Sequence, residues 1–190
     1  MTLKFKPLVL FAKIILPALL SILLFVFFDF DIIYHVLFFG LIIVIFNNSK
    51  IKHSLGLSFI YSICLSYLSF FISIGFYFGV LYVIKYIFGA EYFENNYILG
   101  INFETLLFLL PFAIISPYLM FIFYKVLFRI KNNVFFKIFK YVTISILFII
   151  GLIRNYFGDE VTSIYWQFIM IMALQLILHM KDLKKLFNLK

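Results

Sequence analysis

Leu55–Ile84 reads LGLSFIYSICLSYLSFFISIGFYFGVLYVI, 30 residues without a charged side chain. A helix rises about 1.5 Å per residue and a hydrocarbon core is about 30 Å thick, so roughly 20 such residues already cross a bilayer. The run therefore predicts a membrane-spanning helix, and one so long that it must tilt, protrude or break near its glycines. Its polar residues keep helical time. Ser54, Ser58, Ser62, Ser66, Ser69 and Ser73 recur every three or four positions, which puts their hydroxyls on one face. Such a face lets a neighbouring helix come close and hydrogen-bond along its length; the sharper alternative is a polar wall lining a solute path. Gly75 and Gly79, in G-x-x-x-G spacing and displaced around the axis, offer a second close-contact surface.

The rest of the chain has the same character. Of 190 residues 66% are hydrophobic and 13% charged, against roughly 25% charged in an ordinary soluble domain. Mean hydropathy is +1.15. A soluble fold of this size could not cover that much apolar surface, whereas lipid solvates it directly. Breaks in apolar character give about six spans: Pro7–Phe28, Ile32–Phe46, Leu55–Ile84, Thr105–Phe128, Lys140–Ile153 and Val161–Met180. The predicted fold is all-α, a single polytopic membrane bundle over residues 1–190 with no repeat and no linker. The second and fifth spans are short and must draw on interfacial residues or thin the bilayer.

Asp29-Phe30-Asp31 interrupts an apolar run nearly two spans long. Each carboxylate at the bilayer midplane would cost about 2.5 to 3.5 kcal/mol, so a tight hairpin at the surface is the cheaper solution. The N-terminus has the basic start and apolar stretch of a signal peptide, but Phe25-Val26-Phe27-Phe28 is bulky where small residues would mark cleavage, so it reads as a retained first span.

Charge supports the count. Of the 16 bases, only Lys85 and Arg154 fall on one side of a six-span layout. The same side collects the acids, Asp29, Asp31, Glu91, Glu94, Glu104, Asp159 and Glu160, leaving Asp182 on the other. The positive-inside rule puts both termini in the cytoplasm, and the expected location is a bacterial inner membrane. The net charge of +8 is spread between apolar runs rather than gathered on a soluble face, so no nucleic-acid partner is expected. The expected partners are membrane lipids and other membrane proteins, or a second copy of the chain.

Chemistry-bearing residues are few. Pro111 and Pro117 predict a kinked fourth span. At the outer boundary His35, Lys85, Glu104, Arg154, Asn155 and Asp159 form a candidate polar cluster, with Arg154 paired to Glu104 or Asp159; the alternative is that the bases snorkel and the acids are solvated. Gln167 and Gln175 lie inside the sixth span, and an amide in hydrocarbon wants a partner, so their face should turn toward other helices. Cys64 is the sole cysteine, so no disulfide can form within the chain. His35, His53 and His179 are too far apart in the layout to converge on a metal, and no metal or cofactor is expected. No H-E-x-x-H, G-x-S-x-G or P-loop is present, and no catalytic residue is assigned. The reading leans away from an enzyme. It favours a non-catalytic multi-pass protein acting through helix contacts in a cell-envelope or membrane complex; the alternative is a small transporter or permease subunit with an outward-facing polar site.

Overall fold

The computed structural model describes residues 5–27, 32–51, 53–89, 97–98, 101–131, 133–153 and 159–187. Its helices are α1 (Phe5–Phe27), α2 (Ile32–Phe46), α3 (Leu55–Phe88), α4 (103–127), α5 (Val134–Leu152), α6 (Asp159–Leu178) and α7 (Met180–Leu186), with a 3-10 turn at Asn48–Lys50. The only extended pairing among the described residues is β1 (Tyr97–Ile98) against β2 (Ile101–Asn102). This is an all-helical bundle containing several long apolar helices.

Among the described residues four helices are long and apolar enough to cross a membrane: Pro7–Phe27, Leu55–Phe88, Phe103–Leu127 and Val134–Leu152. Ser163–Leu178 and Met180–Leu186, bent by 65° where they meet, make a fifth if taken as one span. The apolar α2 is shorter, and much of it is covered by protein: Phe39, Ile42, Ile43 and Val44 are all buried.

The core is built around α4. Met120, Phe121 and Tyr124 meet Phe39, Ile42 and Ile43 of α2, Phe136 and Leu147 of α5, and Met170, Ile171 and Leu174 of α6. On α1, Ile14, Pro17, Ala18 and Ser21 are buried at i, i+3, i+4 and i+7, one stripe of a helix that packs on α6. The helix ends have local causes. Asn133 caps α5, its side chain accepting from Phe136 N–H at 2.8 Å, and Ser54 caps α3 in the same way. Gly89 closes α3 at φ 82°, its N–H returning to Lys85 O. After α4 the chain turns left-handed at Arg129 (φ 49°), and Ile130 N–H reaches back to Lys125 O at 2.9 Å.

Two segments differ from the sequence reading. The fifth helix begins at Val134 rather than Lys140, two turns earlier, because the Asn133 cap outweighs the lysines that read as a loop. Lys140 sits inside it with its ammonium over the rings of Tyr118 (4.2 Å) and Tyr141 (4.5 Å), which lets a charge lie against aromatic surface. The sixth segment, expected over Val161–Met180, ends as a helix at Leu178 and continues after a 65° bend as α7, which the sequence reading did not include. Helix α3 takes no break at its glycines and runs unbroken for 34 residues. The Asp29-Phe30-Asp31 turn lies outside the described residues.

Candidate functional site

The serine face of α3 is a buried polar surface. Ser58, Ser62, Ser66, Ser69 and Ser73 are fully buried on a helix that is otherwise largely exposed, and Ser54 serves as its N-cap. The hydroxyls engage α2 and α4. Ser62 donates to the Gly40 carbonyl at 2.9 Å and lies 2.8 Å from the Tyr124 hydroxyl; Ser66 lies 3.0 Å from that same hydroxyl. Ser69 donates to the Ser116 carbonyl at 3.0 Å with Ser116 Oγ 3.3 Å away, and Ser73 donates back to Ser69 O.

Counting one hydrogen per hydroxyl assigns this network a direction. Ser62 spends its hydrogen on Gly40 O, so Tyr124 donates to Ser62, and Ser66 must then donate to Tyr124. The relay runs Ser66 to Tyr124 to Ser62 to Gly40. By the same count Ser69 spends its hydrogen on Ser116 O, and Ser116 donates to Ser69. Gly40 favours closure of the relay: a Cβ there would stand 3.3 Å from the backbone of Ser62 and Ile63, a tight contact that would push α2 and α3 apart by a few tenths of an ångström.

Beside the network lies a half-enclosed cavity of about 240 Å³ between α1, α2, α3, α4 and α6. Phe25, Phe39, Phe70, Phe108, Phe112 and Trp166 supply aromatic wall, and among the described residues no charged side chain lines it. Its polar groups are His35, Ser66, Ser116, Ser163 and Gln167. His35, buried, stacks on Phe25 with ring centroids 4.0 Å apart.

One wall of the cavity is a π-helical stretch, Leu110–Ile115, whose register follows from the prolines. Ser116 N–H bonds to Pro111 O, five residues back. The next partner in that register would be Phe112 O with the amide of residue 117, and Pro117 has none. Trp166 of α6 fills the gap, its indole N–H donating to Phe112 O at 2.8 Å. The irregular backbone is thus satisfied from a neighbouring helix.

The described residues of the proposed outer cluster do not share one environment. His35 is buried in the cavity wall, whereas Lys85 and Glu104 are exposed, and Glu104 accepts from Tyr77 Oη at 3.2 Å. Arg154 and Asn155 lie outside the described residues, as does the Asp159 side chain. In α6 Gln167 is half-buried against the cavity. Gln175 is fully buried, and neither of its amide atoms has a hydrogen-bond partner among the described residues. Gly75 and Gly79 are exposed, and a Cβ at either would meet nothing within 4 Å.

A second polar cluster, which sequence reasoning missed, forms where α6 bends. Lys50 in the α2–α3 turn donates to the Leu178 carbonyl, contacts His179 Nδ1 at 2.9 Å and lies 3.6 Å from Asp182. A cation here satisfies a carbonyl of the last turn of α6 and complements its dipole. Partial burial holds the Lys50 amine below the usual lysine range, and Asp182 draws it part of the way back. His179 Nδ1 also lies 3.4 Å from Asp182 Oδ2, and its Nε2 is buried with no partner among the described residues. Tyr124 and Gly40 were missed as well. The available signal was a lone glycine among bulky residues in α2.

No protein-family model matches this chain, and no curated protein and no solved structure matches it either.

Proposed function

We propose that this chain is a non-catalytic multi-pass protein of a bacterial inner membrane, with six spans and both termini cytoplasmic, working through helix contacts in an envelope or membrane complex. The observation that supports the reading is the contrast around α3. Its serine hydroxyls are engaged in joining α3 to α2 and α4, as packing contacts would be, while Gly75 and Gly79 present an open small-residue surface on a helix longer than one span requires. A second membrane helix is the natural occupant of such a surface, since lipid gains nothing from a glycine groove and a close-packed backbone does. The engaged hydroxyls weigh against a water-filled path along the serine face, and with it against the transporter reading.

Native mass spectrometry of the tagged protein, extracted in lipid nanodiscs from its own host, tests the proposal. A stoichiometric protein partner or second copy is expected with the wild type and is lost in Gly75→Leu/Gly79→Leu; a lone chain in both would overturn it. The topology has its own test. A cysteine at Ser49 should be labelled only from the cytoplasmic side and one at Gly89 only from the outer side, each in a Cys64→Ala background.

A further inference from the structure

We infer that the cavity between α1, α2, α3, α4 and α6 is a binding site for a neutral, mainly apolar molecule that carries a hydroxyl hydrogen-bond donor, a lipophilic alcohol or phenol. Volume, wall chemistry and hydrogen-bond direction each contribute. An apolar cavity of about 150 Å³ is enough to take up benzene. At about 240 Å³ this one has room for a ring with a bulky substituent. Among the described residues the wall carries no charged side chain and is almost wholly apolar, which leaves an ionic ligand uncompensated there and favours a neutral occupant.

The relay decides what polar group the occupant brings. Ser66 and Ser116 both line the cavity, and both have spent their hydrogens elsewhere, Ser66 on Tyr124 and Ser116 on Ser69. What they retain is lone pairs. A ligand hydroxyl can donate to them, whereas a ketone or ether facing these two oxygens would set lone pair against lone pair; the Gln167 amide elsewhere in the wall can serve either kind of group and does not discriminate. The neighbouring π-helical stretch is the kind of irregularity that recurs at functional sites, and here it puts Phe112 and Ser116 in the wall together.

Trp166, the only tryptophan, lines the cavity and makes the site self-reporting. The probes are para-iodophenol and para-iodotoluene, heavy-atom quenchers that differ by a hydroxyl against a methyl of similar size. They are titrated into nanodisc-embedded protein, with empty nanodiscs correcting for partition into lipid. Wild type should show saturable quenching of Trp166 by iodophenol, with half-saturation about tenfold below that for iodotoluene, the worth of one hydrogen bond. Ser66→Ala/Ser116→Ala should remove that preference. Val36→Phe, which fills the cavity and leaves the relay untouched, should abolish saturation for both probes. The Trp166 emission maximum and helical circular dichroism report whether each variant is folded. Quenching of the wild type that never saturates, equal quenching by the two probes, or saturation that survives Val36→Phe would each overturn the inference.

Discussion

Two small-residue patterns lie on α3, and they meet opposite surroundings. The serine face from Ser58 to Ser73 is completely buried, whereas Gly75 and Gly79 look onto open space. Spacing alone does not distinguish them, since both are patterns that let helices approach. The difference comes from what the facing helices carry. Opposite the serines stand Gly40, which removes the steric barrier, and Tyr124 and Ser116, which complete the hydrogen bonding. A small-residue face is consumed inside a bundle where neighbours match its polar groups, and one left unmatched is available to something outside.

The comparison can be broken most severely at Gly40. Gly40→Leu drives a side chain into the backbone of Ser62 and Ile63, and unfolding in mixed micelles should show a loss of about 3 kcal/mol or more, the upper range of overpacking. Tyr124→Phe is expected next, at about 1 to 3 kcal/mol, because removing one hydroxyl takes the partner of buried Ser66 and leaves Ser62 with Gly40 O alone; the same unfolding assay checks it. Trp166→Phe frees Phe112 O and should cost about 1 kcal/mol, with faster amide exchange confined to the π-helical stretch. Lys50→Met cuts the link between the α2–α3 turn and the α6–α7 bend. Its partner Asp182 is half exposed, so the loss should stay below about 1 kcal/mol and be seen chiefly as faster proteolysis of α7. At the other end of the scale, Gly75→Leu/Gly79→Leu should change stability by no more than about 0.5 kcal/mol while removing the partner. A large stability loss there would mean that the two faces of α3 are not different in kind.

The candidate site was legible in part. Serine periodicity put one polar face on α3, and the amide argument put Gln175 inside, where the structure also buries it. The argument that such an amide finds a hydrogen-bond partner is not met among the described residues. Depth in the layout grouped His35 with Lys85 and Glu104, but depth says nothing about which way a side chain points, and His35 turns inward to stack on Phe25. Lysines blurred the start of α5, since Lys137 and Lys140 count as loop charges on any hydropathy reading, whereas the Asn133 cap and the rings beneath Lys140 accommodate them in a helix.

Composition and apolar run length alone determined that this chain is a bundle of long apolar helices, and they located α2 at Ile32–Phe46 to the residue, because exclusion of charge from hydrocarbon is a local property of consecutive side chains. Only the tertiary structure decided the Ser66–Tyr124–Ser62–Gly40 relay, the Trp166 bond to Phe112, the Lys50 link to His179 and the cavity among them. Each joins residues on different helices. Their pairing depends on which faces pack together and in what rotation, and nothing in the period of a single helix encodes that.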